Sequence, residues 1–111
     1  MNLGNLYRTS GHAPNKAIEC YAKVLEIDPD HVDTLVNFGD VLRSEGQPST
    51  GLRLIERALA IDATHPFALA SACLCHYQLG QIADAASAIG KCLELHPHHS
   101  MCQRVKAAVL A

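Results

Sequence analysis

The sequence predicts an all-α fold in which helix hairpins stack on one another as units of a repeat. Residues 66–99 reproduce the landmarks of residues 32–65 at a spacing of about 34 residues. Apolar residues recur at three- and four-residue steps, as on one face of a helix, and no segment alternates with the period of a strand. The coinciding pairs are Leu35 and Leu69, Gly46 and Gly80, Ala58 and Cys92, Leu59 and Leu93, and His65 and His99.

The first unit, about residues 1–31, is shortened at its start. Met1–Ser10 is predicted to be a helix that lacks its first turn, and Gly11 ends it. Pro14 suits the first turn of the next helix, about Asn15–Ile27, because an N–H in that turn has no acceptor within the helix. Pro29 stops this second helix. Its predicted apolar face consists of Ala17, Ile18, Tyr21, Val24 and Leu25.

The two complete units, residues 32–65 and residues 66–99, are predicted to be helix hairpins of one design. Gly46 and Gly80 mark the tight turn inside each hairpin, since glycine accepts the backbone conformation that ends a helix. A trailing helix in residues 100–111 opens like a fourth unit, so that 1–111 form a single domain. The predicted helices are Val32–Glu45, Ser49–Ile61, Pro66–Leu79, Ile82–Leu95 and about His99–Leu110.

Composition limits the classes of partner. The 111 residues are 49% hydrophobic and 18% charged, which suits one small domain with a core. The formal net charge of −2 is spread without runs, so no basic face for nucleic acid is expected. No apolar run approaches the roughly 18 residues of a membrane span, and the N-terminus lacks a leader pattern. We therefore expect a cytoplasmic protein that binds neither nucleic acid nor membrane.

Cysteine usage gives a further expectation. The five cysteines are an odd number, and most occupy helical places where a small apolar residue would serve. They predict reduced, buried thiols in a reducing compartment rather than a disulfide framework. These residues are Cys20, Cys73, Cys75, Cys92 and Cys102.

The landmarks resemble the tetratricopeptide repeat (TPR) pattern, W-x2-L-G-x2-Y followed by alanine, an aromatic residue and proline. The resemblance covers nearly the whole chain, and it implies a right-handed α–α superhelix of about three hairpins plus a C-terminal helix. Cys73 replaces a small glycine, Ala63 replaces a closing proline, and tryptophan is absent. The matching residues are Leu3, Gly4, Tyr7, Ala17, Tyr21 and Pro29, then Leu35, Phe38, Gly39, Leu42, Gly51, Ile55 and Ala58, then Leu69, Ala72, Cys73, His76, Ala85, Ile89 and Pro97.

The resemblance implies a protein-interaction scaffold. In such proteins the first helix of each pair lines a concave groove that binds a peptide or a segment of a partner, and no cofactor is expected. The identity of the partner does not follow from the sequence. Carried onto this chain, the groove consists of Asn5, Arg8, Asp33, Val36, Asn37, Asp40, Arg43, Phe67, Ser71, Leu74, Tyr77, Gln78 and Arg104.

Asparagines in the groove resemble those of a particular superhelix. Asn-Leu-Gly-Asn at 2–5 and Asn-Phe-Gly-Asp at 37–40 are similar to units of O-linked N-acetylglucosamine transferase, where the amides hold an extended peptide. An amide suits a main chain of any sequence because it donates and accepts hydrogen bonds at once. The alternative is that these asparagines simply form a solvated helix face.

The carboxylate clamp of chaperone-binding TPR domains is a second known mode, and the sequence does not fit it. Asn5 and Asn37 stand where the asparagines of the clamp would be, but its basic residues are replaced by Met1, Phe67 and Ser71. Exposed apolar groups favour a partner held through apolar anchors instead. The candidate anchors are Phe67, Leu74 and Tyr77.

The ends of the array predict self-association. Each hairpin leaves an apolar face that only another unit can cover. The first helix begins a turn late, and the last helix is apolar over much of its circumference, so we expect a homo-oligomer through the terminal helices or an excerpt of a longer array. The apolar residues at the C-terminal end are Val105, Ala107, Ala108, Val109, Leu110 and Ala111.

Two other classes of function compete with protein binding. Cys92, His96, His99 and Cys102 have the spacing of four zinc ligands, although Cys92 takes the place of a buried alanine. An enzyme is not expected, because no phosphate loop, H-E-x-x-H or G-x-S-x-G motif occurs. The adjacent Cys75 and His76 are neighbours in sequence, so one side chain is not expected to orient the other for catalysis.

Overall fold

The computed structural model describes residues 13–110, which form six helices and contain no strand. The all-α prediction is therefore confirmed, and the predicted helix ends lie within two residues of the observed ones. The helix predicted over Met1–Ser10 lies outside the described residues. None of the described helices is both long and apolar enough to cross a membrane. In chain order they are α1 Ala13–Ile27, α2 Val32–Ser44, α3 Pro48–Ile61, α4 Pro66–Gln78, α5 Ile82–Leu95 and α6 Ser100–Leu110.

The helices form two hairpins flanked by single helices. α2 packs on α3 within the second unit, and α4 packs on α5 within the third. Across units, the first helices are in direct contact, α2 with α4 and α4 with α6, whereas α3 and α5 have at most marginal contact. The stack therefore curves with the first helices on its inner side, as a TPR solenoid does.

Small residues allow the hairpin of the second unit to close tightly. A Cβ atom added to Gly39 would lie 2.7 Å from the Gly51 carbonyl oxygen and 2.6 Å from Ile55 Cγ1. Such separations leave no room for a side chain, so the glycines let the backbones of α2 and α3 approach each other. Cys73 and Ala85 hold the same places in the third unit, and both are fully buried.

Glycines also end the first helix of each hairpin. Gly46 and Gly80 have positive φ angles of 86° and 78°. The N–H of Gln47 donates to the Leu42 carbonyl oxygen at 2.8 Å, and the N–H of Gln81 donates to that of His76 at the same distance. These six-residue hydrogen bonds are those of the Schellman motif, in which glycine takes the left-handed position without steric cost.

Histidines cap the start of the first helices. The N–H of Thr34 donates to His31 Nδ1, and the N–H of Ala68 donates to His65 Nδ1, each at 3.2 Å. His99 accepts in the same way from the N–H of Met101 at 3.2 Å. Because each Nδ1 is an acceptor, the neutral imidazole carries its proton on Nε2. The recurrence of histidine every 34 residues is thus explained by helix capping.

The core lies between the helix layers and runs the length of the stack. Leu35, Ile55 and Ile89 are its largest fully buried aliphatic side chains. Tyr21 and Phe38 extend it toward α1, where their ring centroids are 5.9 Å apart. α4 lies at the centre, in contact with α2, α3, α5 and α6, and seven of its thirteen residues are buried.

Candidate peptide-binding surface

One continuous surface combines the accessible side chains of α2, α4 and α6, and we call it the inner surface. Its helices are held side by side by direct contacts. Most of the predicted groove residues within the described part of the chain lie on it. They are Asp33, Asn37, Asp40, Arg43, Phe67, Leu74, Tyr77, Gln78 and Arg104.

A hydrogen-bonded group crosses the inner surface from α2 to α4. Arg43 Nε and Nη2 donate to Asp40 Oδ1 at 3.0 and 2.9 Å, and Arg43 Nη1 donates to Gln78 Oε1 at 3.0 Å. The side chains of Arg43 and Asp40 are only 18% and 27% exposed. Their charges compensate each other, so this part of the surface offers an arriving segment polar groups without a strong net charge.

Phe67 forms an aromatic rim at the start of α4. It is 47% exposed, and its ring makes an edge contact with that of His99 at a centroid distance of 5.1 Å. The His65 ring lies 6.2 Å away on the other side. Since His65 Nδ1 accepts the capping bond, its Nε2 donates to Asp33 Oδ1 at 3.1 Å. The phenylalanine is thus propped between two capping histidines and exposes its ring to solvent.

Tyr77 lies near the other end of α4, next to Gln78 of the polar group. It is 44% exposed, and Leu74 one turn earlier is half-buried. Arg104 on α6 is exposed, and its Nη2 lies 3.6 Å from Met101 Sδ. α4 therefore presents two accessible aromatic rings, separated by a half-buried leucine and flanked by polar groups.

Two of the predicted groove residues need correction. Val36 and Ser71 are 4% and 2% exposed, so their side chains are not available on the inner surface. The reason is the direct contact between neighbouring first helices, which buries the side chains that point toward the next helix. Asn5 and Arg8 lie outside the described residues, and binding by the remaining residues stays a prediction.

The capping histidines contribute to this surface, although the predicted groove did not include them. His65 and His99 flank Phe67, and the 34-residue recurrence of histidine was the signal for their common position. Asn37 is half-buried on the inner surface. Ser71 and Val105, which follow it in register, are both buried, so the resemblance to the asparagine-bearing superhelix rests on Asn37 alone in residues 13–110.

The zinc alternative is not supported by the geometry. Cys92 and Cys102 are joined by a disulfide, which removes both thiolates from a ligand set. His96 Nε2 donates to the Thr64 carbonyl oxygen at 2.6 Å, and His99 Nδ1 accepts its capping bond. Residues 13–110 contain no cluster of three or more histidine, cysteine or acidic side chains arranged to hold a metal.

The same disulfide corrects the expectation of reduced thiols throughout the chain. Cys20, Cys73 and Cys75 are free, and the last two are buried as predicted. Cys92 and Cys102 are also buried, but they face each other between α5 and α6. The sequence did not predict this pairing because it depends on how the trailing helix docks.

The cysteine and histidine pair in α4 lacks the features of a catalytic dyad. Burial raises the pKa of the Cys75 thiol to about 11, an effect that the nearby Arg43 reduces. A thiol with so high a pKa is almost entirely protonated at neutral pH and is a poor nucleophile. His76 Nδ1 lies 2.7 Å from Gln81 Oε1, so the imidazole is engaged with the hairpin turn.

Comparisons with known structures place the fold. The first TPR domain of human RPAP3 aligns over 96% of this chain and 84% of that domain, with a TM-score of 0.86 and 20% identity. The first TPR of Spaghetti (RPAP3) bound to the HSP90 peptide SRMEEVD aligns over 97% and 88%, with a TM-score of 0.81 and 20% identity. PcrH in complex with the chaperone binding region of PopD aligns over 97% and 84%, with a TM-score of 0.82 and 20% identity.

Sequence comparisons place the family. Protein CTR9 homolog of Arabidopsis thaliana is 34% identical over 95 residues, which are 85% of this chain and 9% of that protein. The chain therefore spans about a tenth of the length of this curated relative. Residues 10–92 match the family described as anaphase-promoting complex, cyclosome, subunit 3. On this match, and on its two TPR hairpins, the chain belongs to that family of tetratricopeptide repeat proteins.

Proposed function

We propose that the chain is a protein-interaction module that binds an extended segment of a partner protein along the inner surface. The observation that carries this proposal is the pair of half-exposed aromatic rings on α4, Phe67 and Tyr77, on the side of the stack that the first helices line. Large apolar groups near polar ones are typical of the places where binding energy concentrates. Two structural neighbours are complexes, one with an HSP90 peptide and one with the chaperone binding region of PopD.

The chemistry of the surface indicates the kind of segment. Arg43 is neutralised by Asp40 and Gln78, so an acidic peptide terminus gains little from it. The rings of Phe67 and Tyr77 instead provide area for one or two aliphatic or aromatic side chains, and the amide of Asn37 lies between the two polar groups of α2. We therefore propose apolar anchoring combined with hydrogen bonds to the backbone of the bound segment.

Selection from a random peptide library tests this proposal for partner segments of any sequence. Peptides would be selected on the immobilised chain, and their Kd values would be measured by fluorescence anisotropy. We expect enrichment of segments with an aliphatic or aromatic anchor. Changing Asn37 and Tyr77 together to Ala should weaken binding at least tenfold, which corresponds to about 1.4 kcal/mol.

A matched control separates this surface from apolar exposure in general. Ile82 on α5 is 52% exposed but lies on a second helix, so Ile82→Ala should leave the Kd unchanged. Far-UV circular dichroism must show the same helicity for all variants. Equal affinity of the parent and the Asn37→Ala, Tyr77→Ala double variant would reject the inner surface as the binding site.

We also propose that the chain self-associates through its terminal helices. α6 contacts only α4 and α5 among the described helices, and Ala107 and Ala108 are exposed on it, next to the half-buried Val109. Sedimentation velocity over a range of concentrations should show reversible dimers or larger species. Ala108→Glu should shift the distribution to the monomer, while Ala83→Glu, at an exposed alanine of α5, should not. A parent that is monomeric at all concentrations would contradict self-association.

A further inference from the structure

Cys92 and Cys102 occupy a contact that the repeat builds from small residues. One repeat earlier, the same two positions are Ala58 and Ala68, which are fully buried in a common core cluster. Cys92 and Cys102 are likewise fully buried in the next cluster. The contact between a second helix and the following first helix is therefore part of the repeat, and between these two helices it consists of two cysteines.

The repeat geometry makes this contact suitable for a disulfide. The Cα atoms of Cys92 and Cys102 are 6.0 Å apart, within the range that an unstrained bridge requires. The reduced state is also accommodated, because Cys92 Sγ lies 3.6 Å from the Pro66 carbonyl oxygen, which a thiol can use as an acceptor. Both redox states thus fit the same packed interface.

The bridge connects the helix that has the least support. α6 touches only α4 and α5 among the described helices, and it buries just Cys102 and Val105, whereas α4 buries seven residues. Docking of α6 is therefore expected to be the weakest step in the stack, and opening of an end costs less free energy than opening of the centre. A covalent link at this place has a large effect on the population of the undocked state.

We propose that Cys92 and Cys102 are a redox-modification site that locks α6 onto α5 when a glutathione-type disulfide oxidises them and releases it when a thiol reduces them. The buried sulfur atoms react only while α6 is undocked. This inference concerns the docking of α6 and does not depend on peptide binding by the inner surface.

The chemistry is balanced thiol–disulfide exchange. One cysteine thiolate attacks a sulfur of glutathione disulfide, which forms a mixed disulfide and expels one glutathione thiolate. The second cysteine thiolate attacks the protein sulfur of the mixed disulfide and expels the other glutathione. Two electrons pass from the protein thiols to glutathione disulfide, and the two protons end on the two released glutathione molecules.

Cys73 belongs to the same core cluster and is the natural competitor for either partner. It sits within α4, the central helix, and remains buried when α6 alone opens. Burial also raises the pKa of its thiol, which keeps it protonated and unreactive. The pairing should therefore be specific to Cys92 and Cys102.

The test equilibrates the full chain in buffers with different ratios of reduced to oxidised glutathione. Alkylation after denaturation should modify five cysteines in the reduced protein and three in the oxidised protein, where Cys20, Cys73 and Cys75 remain free. Peptide mapping should place the bridge between Cys92 and Cys102. Hydrogen exchange of α6 amides should be roughly a hundredfold slower in the oxidised form, as expected for closing a loop of this size, with α2 and α3 unchanged.

Two variants complete the test. The double variant Cys92→Ala, Cys102→Ala reproduces the Ala58 and Ala68 contact, so it should fold and show α6 exchange that is independent of redox state. Cys73→Ala should keep the full response. Alkylation of five cysteines at every glutathione ratio, equal α6 exchange in both forms, or loss of the response in Cys73→Ala would overturn the proposal.

Discussion

The second and third units share one register but fill it differently. α2 has α1, α3 and α4 as described neighbours, and six of its thirteen residues are buried. α4 is surrounded by four helices, and it buries seven residues, among them Ala68, Ala70 and Ala72. A helix enclosed on all sides has little polar face left, and small side chains let its neighbours come close. The difference shows that position in the stack, and not only the repeat pattern, determines composition.

The largest expected effect tests what the two units have in common. Ile55 and Ile89 are equivalent in register and at most 1% exposed. Ile55→Ala and Ile89→Ala should each lower the free energy of unfolding by about 3 kcal/mol, because each leaves a cavity in a packed core. Urea unfolding followed by circular dichroism measures both. A difference of more than about 2 kcal/mol between them would show that the two cores are not equivalent.

The next prediction concerns the close approach of the helices, where the units differ. A Cβ atom on Gly39 meets the Gly51 backbone, so Gly39→Ala should destabilise the chain by about 2 kcal/mol although alanine favours helices. The equivalent Cys73→Ala only removes a sulfur atom and should cost about 1 kcal/mol. If Gly39→Ala were neutral in the same urea assay, the tight contact between α2 and α3 would be refuted.

A third prediction uses the buried thiol of the third unit. Burial raises the Cys75 pKa from 9.0 to about 11, so the folded chain holds this proton while the unfolded chain loses it. Stability should therefore fall as the pH rises from 9 to 11, with a contribution from Cys75 of about 1 to 2 kcal/mol. Cys75→Val installs the residue that the second unit has at Val41, and this variant should lose less stability over that pH range. Parallel pH profiles of parent and variant would contradict the assignment.

The smallest effect concerns the capping histidines, which both units share. His65→Ala should cost about 1 kcal/mol, because the N–H of Ala68 loses its acceptor. His65→Asn should restore most of this stability, since asparagine is a preferred N-cap residue. His31 provides the matched position in the second unit, where the same pair of changes should give the same order. Equal stability of His65→Ala and His65→Asn would show that capping is not the role of the imidazole.

Much of the fold could be predicted because its signals are local. The positions of Gly46 and Gly80, the apolar steps and the 34-residue recurrence predicted the helices to within two residues. The inner surface was predicted less completely. Val36 and Ser71 were assigned to it by repeat geometry, but contact between neighbouring first helices buries them. The sequence pattern identifies the face of a helix to within about one residue row, and adjacent rows differ in exposure.

The sequence by itself determined the helix hairpins, their order and the small residues at their crossings, because turn chemistry and hydrophobic periodicity act over a few residues. Only the tertiary structure decided the accessibility of Phe67 and Tyr77, the compensation of Arg43 by Asp40 and Gln78, and the bond between Cys92 and Cys102. These features depend on the distances between side chains on different helices. Such distances are set by the packing of the whole stack and are not encoded in any single segment.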